Sequence, residues 1–226
     1  MSTNVRPAFY ALRSGGWRDY VTLLHPPYTL WHLSYAAMGA AIAPRMKWDL
    51  LGWTVLAFLL AMGIGAHALD ELKSRPLQTR ISDRVLVFLA AWSILGACVI
   101  GVHVAIGSTL WLLVFVAFGA AIVVAYNLEL FGGALHNPFW FAFAWGAFPA
   151  LTAYFASART IRAEAVAVAG FAFATSLVQQ RLSVDVRFAR RTAGDPAQAK
   201  NEEAALQLLA AAMPLLAGAL LLSRWH

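Results

Sequence analysis

Charge and cysteine are both scarce in this chain. Only 12% of its 226 residues are charged and 61% are apolar, whereas soluble domains carry roughly 25% charged residues. The single cysteine, Cys98, excludes an internal disulfide and any metal site built from several thiolates. A cleavable signal peptide is not expected, because the first residues are polar and the first apolar run comes later. The composition therefore excludes an ordinary soluble domain and favours a polytopic membrane protein.

Several sequence motifs of common enzyme classes are also missing. The chain has no nucleophile, histidine and acid arrangement, no zinc-ligand spacing, no GxGxxG and no phosphate-binding loop ending in GK[ST]. Its net charge of +6 and pI near 9.9 raise nucleic acid as a partner. Basic and aromatic residues do not alternate, however, and basic loops facing anionic lipid explain the charge. We therefore expect membrane lipids as partners and no nucleic acid.

The apolar residues form solid runs and not the weak alternating segments of a β-barrel. This pattern predicts an all-α, polytopic helical bundle with about seven transmembrane helices. Residues 1–27 form a polar N-terminal segment, 28–222 a single transmembrane domain and 223–226 a short tail. The predicted spans are about 28–44, 50–69, 85–105, 109–128, 138–157, 163–182 and 204–222.

The basic residues predict the orientation of these spans. With the N-terminus in the cytoplasm, that side carries twelve of the 17 Lys and Arg residues and the other side five. The twelve are Arg6, Arg13, Arg18, Lys73, Arg75, Arg80, Arg84, Arg181, Arg187, Arg190, Arg191 and Lys200. The chain is therefore expected in the cell (inner) membrane, multi-pass, with its N-terminus and the charged loops 71–84 and 183–203 on the cytoplasmic face.

Ionisable residues appear abruptly where the second apolar run ends. His67, Asp70, Glu71 and Ser74 follow one another at spacings of three and four, so a continuing helix places them on one face. Such carboxylates suit a hard cation such as Mg²⁺, which typically uses one or two of them together with substrate phosphates. Lys73 and Arg75 in the following loop are candidates for binding phosphate oxygens. The alternative is a solvated helix end whose acids pair with these two cations.

A second polar cluster follows the sixth run. Gln180, Ser183 and Arg187 fall on one helical face, with Arg181 and Asp185 beside them. This cluster indicates either a wet cavity or a basic flank that ends a membrane helix. His25 and His32 flank the start of the first span, within reach of the same cytoplasmic mouth.

A third cluster precedes and fills the fifth run. Tyr126 and Asn127 end the fourth span, and the fifth is rich in Phe and Trp. Aromatic faces stabilise cations, so this helix suits the wall of an isoprenoid pocket. Packing against lipid is the simpler alternative.

These residues resemble the UbiA-type intramembrane prenyltransferase superfamily. Asp70-Glu71-Leu72-Lys73-Ser74-Arg75-Pro76-Leu77 with Ile81-Ser82 is similar to the end of the family's first aspartate-rich motif. Tyr126-Asn127-Leu128-Glu129, followed by Gly132-Gly133, resembles the family's tyrosine-containing helix end. The resemblance implies a helical bundle that holds Mg²⁺ on the diphosphate of a prenyl donor. The chain departs from it at Ala66, His67 and Ser74, in having only Asp185 in the second motif, and in predicting seven helices where the family commonly has nine.

The resemblance implies an enzyme that transfers or cyclises an isoprenoid group from a prenyl diphosphate at a cytoplasmic-facing cavity. Its implied catalytic residues are Asp70, Glu71 and His67, and its metal ligands Asp70, Glu71 and Asp185. The implied substrate-binding residues are Arg75, Lys73, Gln180, Arg181, Ser183, Arg187, Tyr126 and Asn127. The alternative is a catalytically degenerate relative that binds a lipid, isoprenoid or pigment as a subunit of a membrane complex. A transporter is a third interpretation. The ionisable groups argue against it, because they cluster at one face and not at the membrane midplane.

Overall fold

The computed structural model describes residues 7–192 and 196–225, without the side chains of 190–192 and 196–198. Parts of the predicted segment 1–27 and tail 223–226 therefore lie outside the described residues. The described chain is all-helical. Its helices are α1 (Trp17–Leu23), α2 (Pro26–Ala41), α3 (Trp48–Ser74), α4 (Asp83–Gly107), α5 (Leu112–Asn127), α6 (Pro138–Ala158), α7 (Ala163–Thr192) and α8 (Pro196–Leu222), with a short 3₁₀ turn at Phe131–Gly133.

Local sequence explains where several helices begin and end. Pro26 and Pro138 occupy the first helical position, where the missing N–H loses no hydrogen bond. The Asn137 side chain caps α6 by accepting a hydrogen bond from the Trp140 N–H at 3.1 Å. α3 ends at Arg75, which has a φ of 51° and precedes Pro76.

Within residues 7–192 and 196–225, four helices are long and apolar enough to cross a membrane. They are α3, α4, α6 and the Ala199–Leu222 part of α8. Helices α2 and α5 have 16 residues each, about 24 Å of helix, against roughly 30 Å of bilayer hydrocarbon. The described part of the chain is thus all-helical, with four candidate membrane spans.

Helix α2 lies at the centre and packs most extensively against α6 and α8. Its Trp31, Tyr35 and Met38 side chains are completely buried. In the span of α6, 61% of the residues are buried, compared with 17% in that of α4. The exposed side chains of α4, such as Phe88 and Trp92, are apolar. α4 is therefore peripheral and presents an apolar face suited to lipid.

Two helices contain a π-helical turn, at Leu59–Ala66 in α3 and at Phe143–Ala147 in α6. A π turn accommodates an extra residue and disturbs the regular pairing of carbonyl groups. In each turn a carbonyl contacts an imidazole. His67 Nδ1 lies 3.2 Å from Gly63 O, and His32 Nδ1 lies 2.8 Å from Trp145 O.

Successive helices from α2 to α8 run in alternating directions. One end of the bundle contains residues 7–25, 75–82 and 128–137 and is called the polar end below. At the opposite end, Arg224 Nε donates to Ala41 O at 2.7 Å and the Trp48 and Trp225 rings are in contact. The polar groups that the sequence analysis singles out therefore meet at one end.

The close approach of α2 to α6 depends on Gly39. An added Cβ there would lie 2.1 Å from Ala150 O. We expect Gly39→Ala to lower the free energy of unfolding by about 1–3 kcal/mol, because overpacking forces two helix backbones apart. Thermal melting in detergent measures this loss.

Gly52→Ala is the matched control. Gly52 lies in α3 with no heavy atom within 4 Å of an added Cβ. Because alanine favours a helix over glycine by roughly 1 kcal/mol, this variant should melt at the same temperature or higher. Equal melting of the Gly39 and Gly52 variants would contradict the proposed packing.

Candidate functional site

The loop after α3 folds around the carboxylate of Glu71, which is completely buried. One Glu71 oxygen accepts a hydrogen bond from Leu77 N at 3.0 Å. The other accepts from Thr79 N at 2.8 Å and from Thr79 Oγ1 at 2.9 Å. Both oxygens are therefore engaged in holding loop 75–82 in place.

Lys73 at the end of α3 and Arg75 in the loop also bind within the protein. Arg75 donates to Ile81 O at 2.6 Å and to Thr79 O at 3.4 Å, and forms an ion pair with Asp83. Lys73 Nζ lies 3.7 Å from a Glu129 oxygen at an exposed position. Arg75 thus stabilises the loop, and Lys73 points away from the cavity described next.

Asp19 ties the N-terminal segment to this loop. Its side chain is 3% exposed, and its two oxygens accept hydrogen bonds from Gly15 N at 2.8 Å and Arg80 N at 2.9 Å. Residues 7–10 contact the polar end through the rings of Phe9 and Tyr10, which pack against Tyr28.

A cavity with a volume of about 70 Å³ lies beneath this N-terminal segment. It has room for several water molecules. Asp70 from α3 and Arg187 from α7 both line it. The other lining residues are Pro7, Ala8, Phe9, Tyr10, His25, Tyr28, Pro76, Leu77, Ser183, Val186, Glu203 and Leu206. An acid and an arginine from separate helix ends therefore meet in one polar site.

The second predicted cluster is divided by the structure. Ser183 lines the cavity, with its Oγ 3.5 Å from the Tyr28 hydroxyl. Arg181 and Asp185 are exposed and Gln180 is half-buried, and none of these three lines the cavity. Of the predicted residues on α7, only Ser183 and Arg187 belong to the site.

The three predicted metal ligands do not meet. Asp70 faces the cavity, Glu71 is bonded to loop 75–82, and Asp185 is exposed on α7. Among the described residues, no group of three or more His, Cys, Asp or Glu side chains is arranged to hold a metal. This donor set does not fit Mg²⁺, and Arg187 is the arginine in the described lining of the cavity.

His67 and Tyr126 lie next to the cavity. The His67 ring packs against that of His25, with centroids 3.9 Å apart and the planes tilted by 34°. Tyr126 packs against Trp145 and is close enough to Asp70 and Arg187 for electrostatic interaction. The predicted substrate-binding residue Asn127 is buried instead, and its side-chain amide donates to Val123 O at 2.7 Å within α5.

Sequence reasoning did not find Tyr10, Tyr28 or Glu203. Tyr10 and Tyr28 make an edge-to-face ring contact across the cavity wall. Neither tyrosine belongs to a spaced set of ionisable residues, and Glu203 lies in a charged stretch without periodicity. Only the fold brings these three residues together.

Burial changes the pKa of two groups at the polar end. It raises the pKa of Tyr10 well above 10, with a further increase from Tyr28 and an opposing effect of Arg187. It lowers the pKa of His25 from 6.5 to about 4, against the opposing effect of the hydrogen bond to Leu23 O and with a small contribution from Arg187. At neutral pH both side chains are therefore uncharged.

We expect Glu71→Gln to loosen loop 75–82. The amide replaces one accepting oxygen by an NH₂ group that faces N–H donors, and hydrogen bonds to charged groups contribute about 1.5–3 kcal/mol each. Amide hydrogen exchange of residues 77–79 should accelerate and the melting temperature should fall. Glu129→Gln, which removes only an exposed ion pair, should leave both unchanged. Identical exchange in the two variants would exclude the role given to Glu71.

His25 should make stability depend on pH. Above its unfolded pKa of about 6.5 the ring is neutral in both states, so the full stability is present. As pH falls from about 6.5 to 4 the unfolded state gains a proton first, so stability is lost across this window. His25→Asn cannot be protonated but keeps a side-chain N–H near Leu23 O, so its melting temperature should fall less over the same range.

The control for this measurement is His103→Asn, since His103 contacts Trp53 on the exposed side of α4. This variant should retain the pH dependence of the wild type. A His25→Asn variant as sensitive to pH as the wild type would show that His25 is not the group responsible.

Comparison with known proteins assigns no family to this chain. Neither protein-family models, nor curated proteins, nor solved structures give a match. Any function must therefore be inferred from the residues of the chain itself.

Proposed function

We propose that this chain is an integral membrane enzyme of the prenyltransferase type. It would transfer or cyclise an isoprenoid group from a prenyl diphosphate at the cavity of the polar end. The observation that carries the proposal is the convergence of Asp70 and Arg187, from two separate helix ends, on one polar cavity. The sequence motif around Asp70 to Leu77, with its UbiA-type resemblance, adds support.

Arg187 is suited to the phosphate end of such a substrate. Its planar guanidinium presents paired donors to phosphate oxygens and stays charged at all relevant pH values. As the bond between the allylic carbon and oxygen breaks, negative charge develops on the diphosphate, which a fixed cation stabilises. Asp70, which lines the same cavity, would stabilise the positive charge that develops on the allylic group.

The aromatic rings of the cavity serve the same end. Phe9, Tyr10 and Tyr28 form a cluster of edge-to-face contacts with centroids between 5.3 and 6.0 Å apart. Aromatic faces attract cations without reacting with them as a carboxylate can. Such a wall is suited to an allylic cation and to the exclusion of water from it.

An apolar cavity deeper in the bundle supports a hydrocarbon ligand. It lies between α3, α4, α5 and α6 and has a volume of about 80 Å³. Small and aromatic side chains such as Ala97, Phe115 and Phe148 form most of its lining. Ala61 in its wall precedes Asp70 by nine residues of α3, about 13 Å along the helix axis. A molecule with a polar head and an apolar tail matches this separation.

The proposal includes the membrane arrangement. We infer that α2 to α8 all cross the membrane, the shorter helices with help from their neighbours, and that the polar end faces the cytoplasm. The predominance of Lys and Arg at that end supports this orientation. The cell membrane then supplies the isoprenoid lipid from the side.

Two substitutions test the function in purified protein supplied with geranylgeranyl diphosphate. Asp70→Asn and Arg187→Gln should each reduce diphosphate release about 100-fold, since each removes a charge that stabilises the transition state. Asp185→Asn changes an acid two residues from Arg187 but outside the cavity, and should keep wild-type activity. Full activity of either cavity variant would refute the proposal, provided that all variants melt like the wild type.

A second candidate is a lipid-binding subunit without catalysis. The engagement of Glu71 in loop 75–82 and the exposure of Asp185 favour it, because they leave few free acids in the cavity. Native mass spectrometry separates the two functions. A stoichiometric, chemically unchanged isoprenoid or a co-purifying protein, together with no diphosphate release by the wild type, would support the subunit.

A further inference from the structure

Three histidines near the polar end share one hydrogen-bonding pattern. His25 Nδ1 lies 2.9 Å from Leu23 O, His32 Nδ1 2.8 Å from Trp145 O and His67 Nδ1 3.2 Å from Gly63 O. A carbonyl oxygen only accepts hydrogen bonds, so each Nδ1 must carry the proton. In a neutral ring the other nitrogen, Nε2, is then left with a lone pair.

Only one of these three rings lines the polar cavity. His25 is half-buried in its wall, whereas His32 is 4% exposed and is bonded to α6. The His67 ring packs against His25, with the ring centroids 3.9 Å apart and the ring planes tilted by 34°. Since Nδ1 of His25 is turned to Leu23 O, its Nε2 is the nitrogen available to the cavity.

The backbone also holds His25 in an unusual conformation. Its φ is 45° in the left-handed region, directly before Pro26 and Pro27. Histidine is among the residues enriched in this region, and here it ends α1, because the His25 N–H donates to Thr22 O at 3.1 Å. The side chain caps no N–H of α2. The turn between α1 and α2 therefore sets the position of the ring in the cavity wall.

The remaining groups of the cavity determine what Nε2 can bind. The charged and titratable groups that line the cavity with His25 are Tyr10, Tyr28, Asp70, Arg187 and Glu203, and the rings of His32 and His67 lie close to His25 outside this lining. Arg187 is the phosphate-binding cation in the proposed function. The neutral Nε2 accepts a hydrogen bond, so its partner must carry an O–H or N–H group. An ionised diphosphate and a hydrocarbon carry neither.

We propose that His25 Nε2 accepts the hydrogen bond of a hydroxyl or amine group on a second substrate, and takes its proton during transfer of the isoprenoid. This inference rests on the proposed function and names the class of acceptor. It also makes His25 a catalytic residue, because its ring contacts the reacting group.

The reaction balances as a displacement. The lone pair of the acceptor oxygen or nitrogen forms a bond to the allylic carbon, and the bond from that carbon to the diphosphate oxygen breaks with its electron pair on the leaving group. The proton of the hydroxyl or amine passes to Nε2. The imidazolium then releases it to water in the cavity, and the low pKa of His25, about 4, favours this release.

The first test measures binding and requires no turnover. Protein with ¹⁵N-labelled histidine is titrated with benzyl alcohol and with benzyl methyl ether, which lacks the donor. We expect the alcohol alone to shift the Nε2 resonance that is lost in His25→Asn. His103→Asn, outside the cavity, should retain that shift. An equal response to the ether, a response that persists in His25→Asn, or no response to the alcohol would overturn the proposal.

The second test measures the reaction with geranylgeranyl diphosphate as donor and benzyl alcohol as acceptor. His25→Asn should lower kcat for ether formation about 100-fold, the usual range for a general base, with the KM for the donor unchanged. His25→Gln, which restores an oxygen near Nε2 without a basic nitrogen, should bind the alcohol but remain slow. Equal kcat in wild type and His25→Asn would overturn the inference. Absence of diphosphate release by the wild type would instead refute the proposed function and with it the base role, while the binding test still decides the hydrogen-bonding role.

Discussion

The buried carboxylate of Glu71 is the interaction on which the polar end depends. Its hydrogen bonds to Leu77 and Thr79 fold the loop after α3 back over the helix end. That loop then presents Arg80 N to Asp19, which holds the N-terminal segment in place. Since a buried carboxylate is stable only when it is fully hydrogen-bonded, loop, segment and cavity roof form a single unit. The rings of Phe9 and Tyr10 then close the cavity against Tyr28.

The helical architecture follows directly from the sequence, because long apolar runs in a bilayer have to satisfy their backbone hydrogen bonds internally. The sequence also indicates which ends carry the polar groups. It does not predict that α7 continues to Thr192, where a charged loop was expected after residue 182. A helix with one face on a polar cavity can continue through charged residues. Hydropathy measures only apolar character, so it does not predict this helical continuation.

The sequence predicts site residues only where the spacing along one helix places them on a shared face. Asp70 and Arg187 lie where helical spacing suggests, on converging helix ends. The sequence resemblance groups Asp70 and Glu71 as ligands of one metal. Adjacent residues on a helix, however, point about 100° apart. The structure separates them accordingly. Tyr10 and Glu203 reach the cavity through tertiary contacts that no local pattern encodes.

The π turn at Leu59–Ala66 has a consequence for how α3 evolves. A π turn holds about one residue more than a regular helical turn, so the helix beyond it keeps its facing despite the extra residue. A deletion of one residue at this turn would restore regular helix geometry and leave the ionisable end of α3 facing as before. The same deletion in a regular part of α3 would instead rotate that end by about 100°.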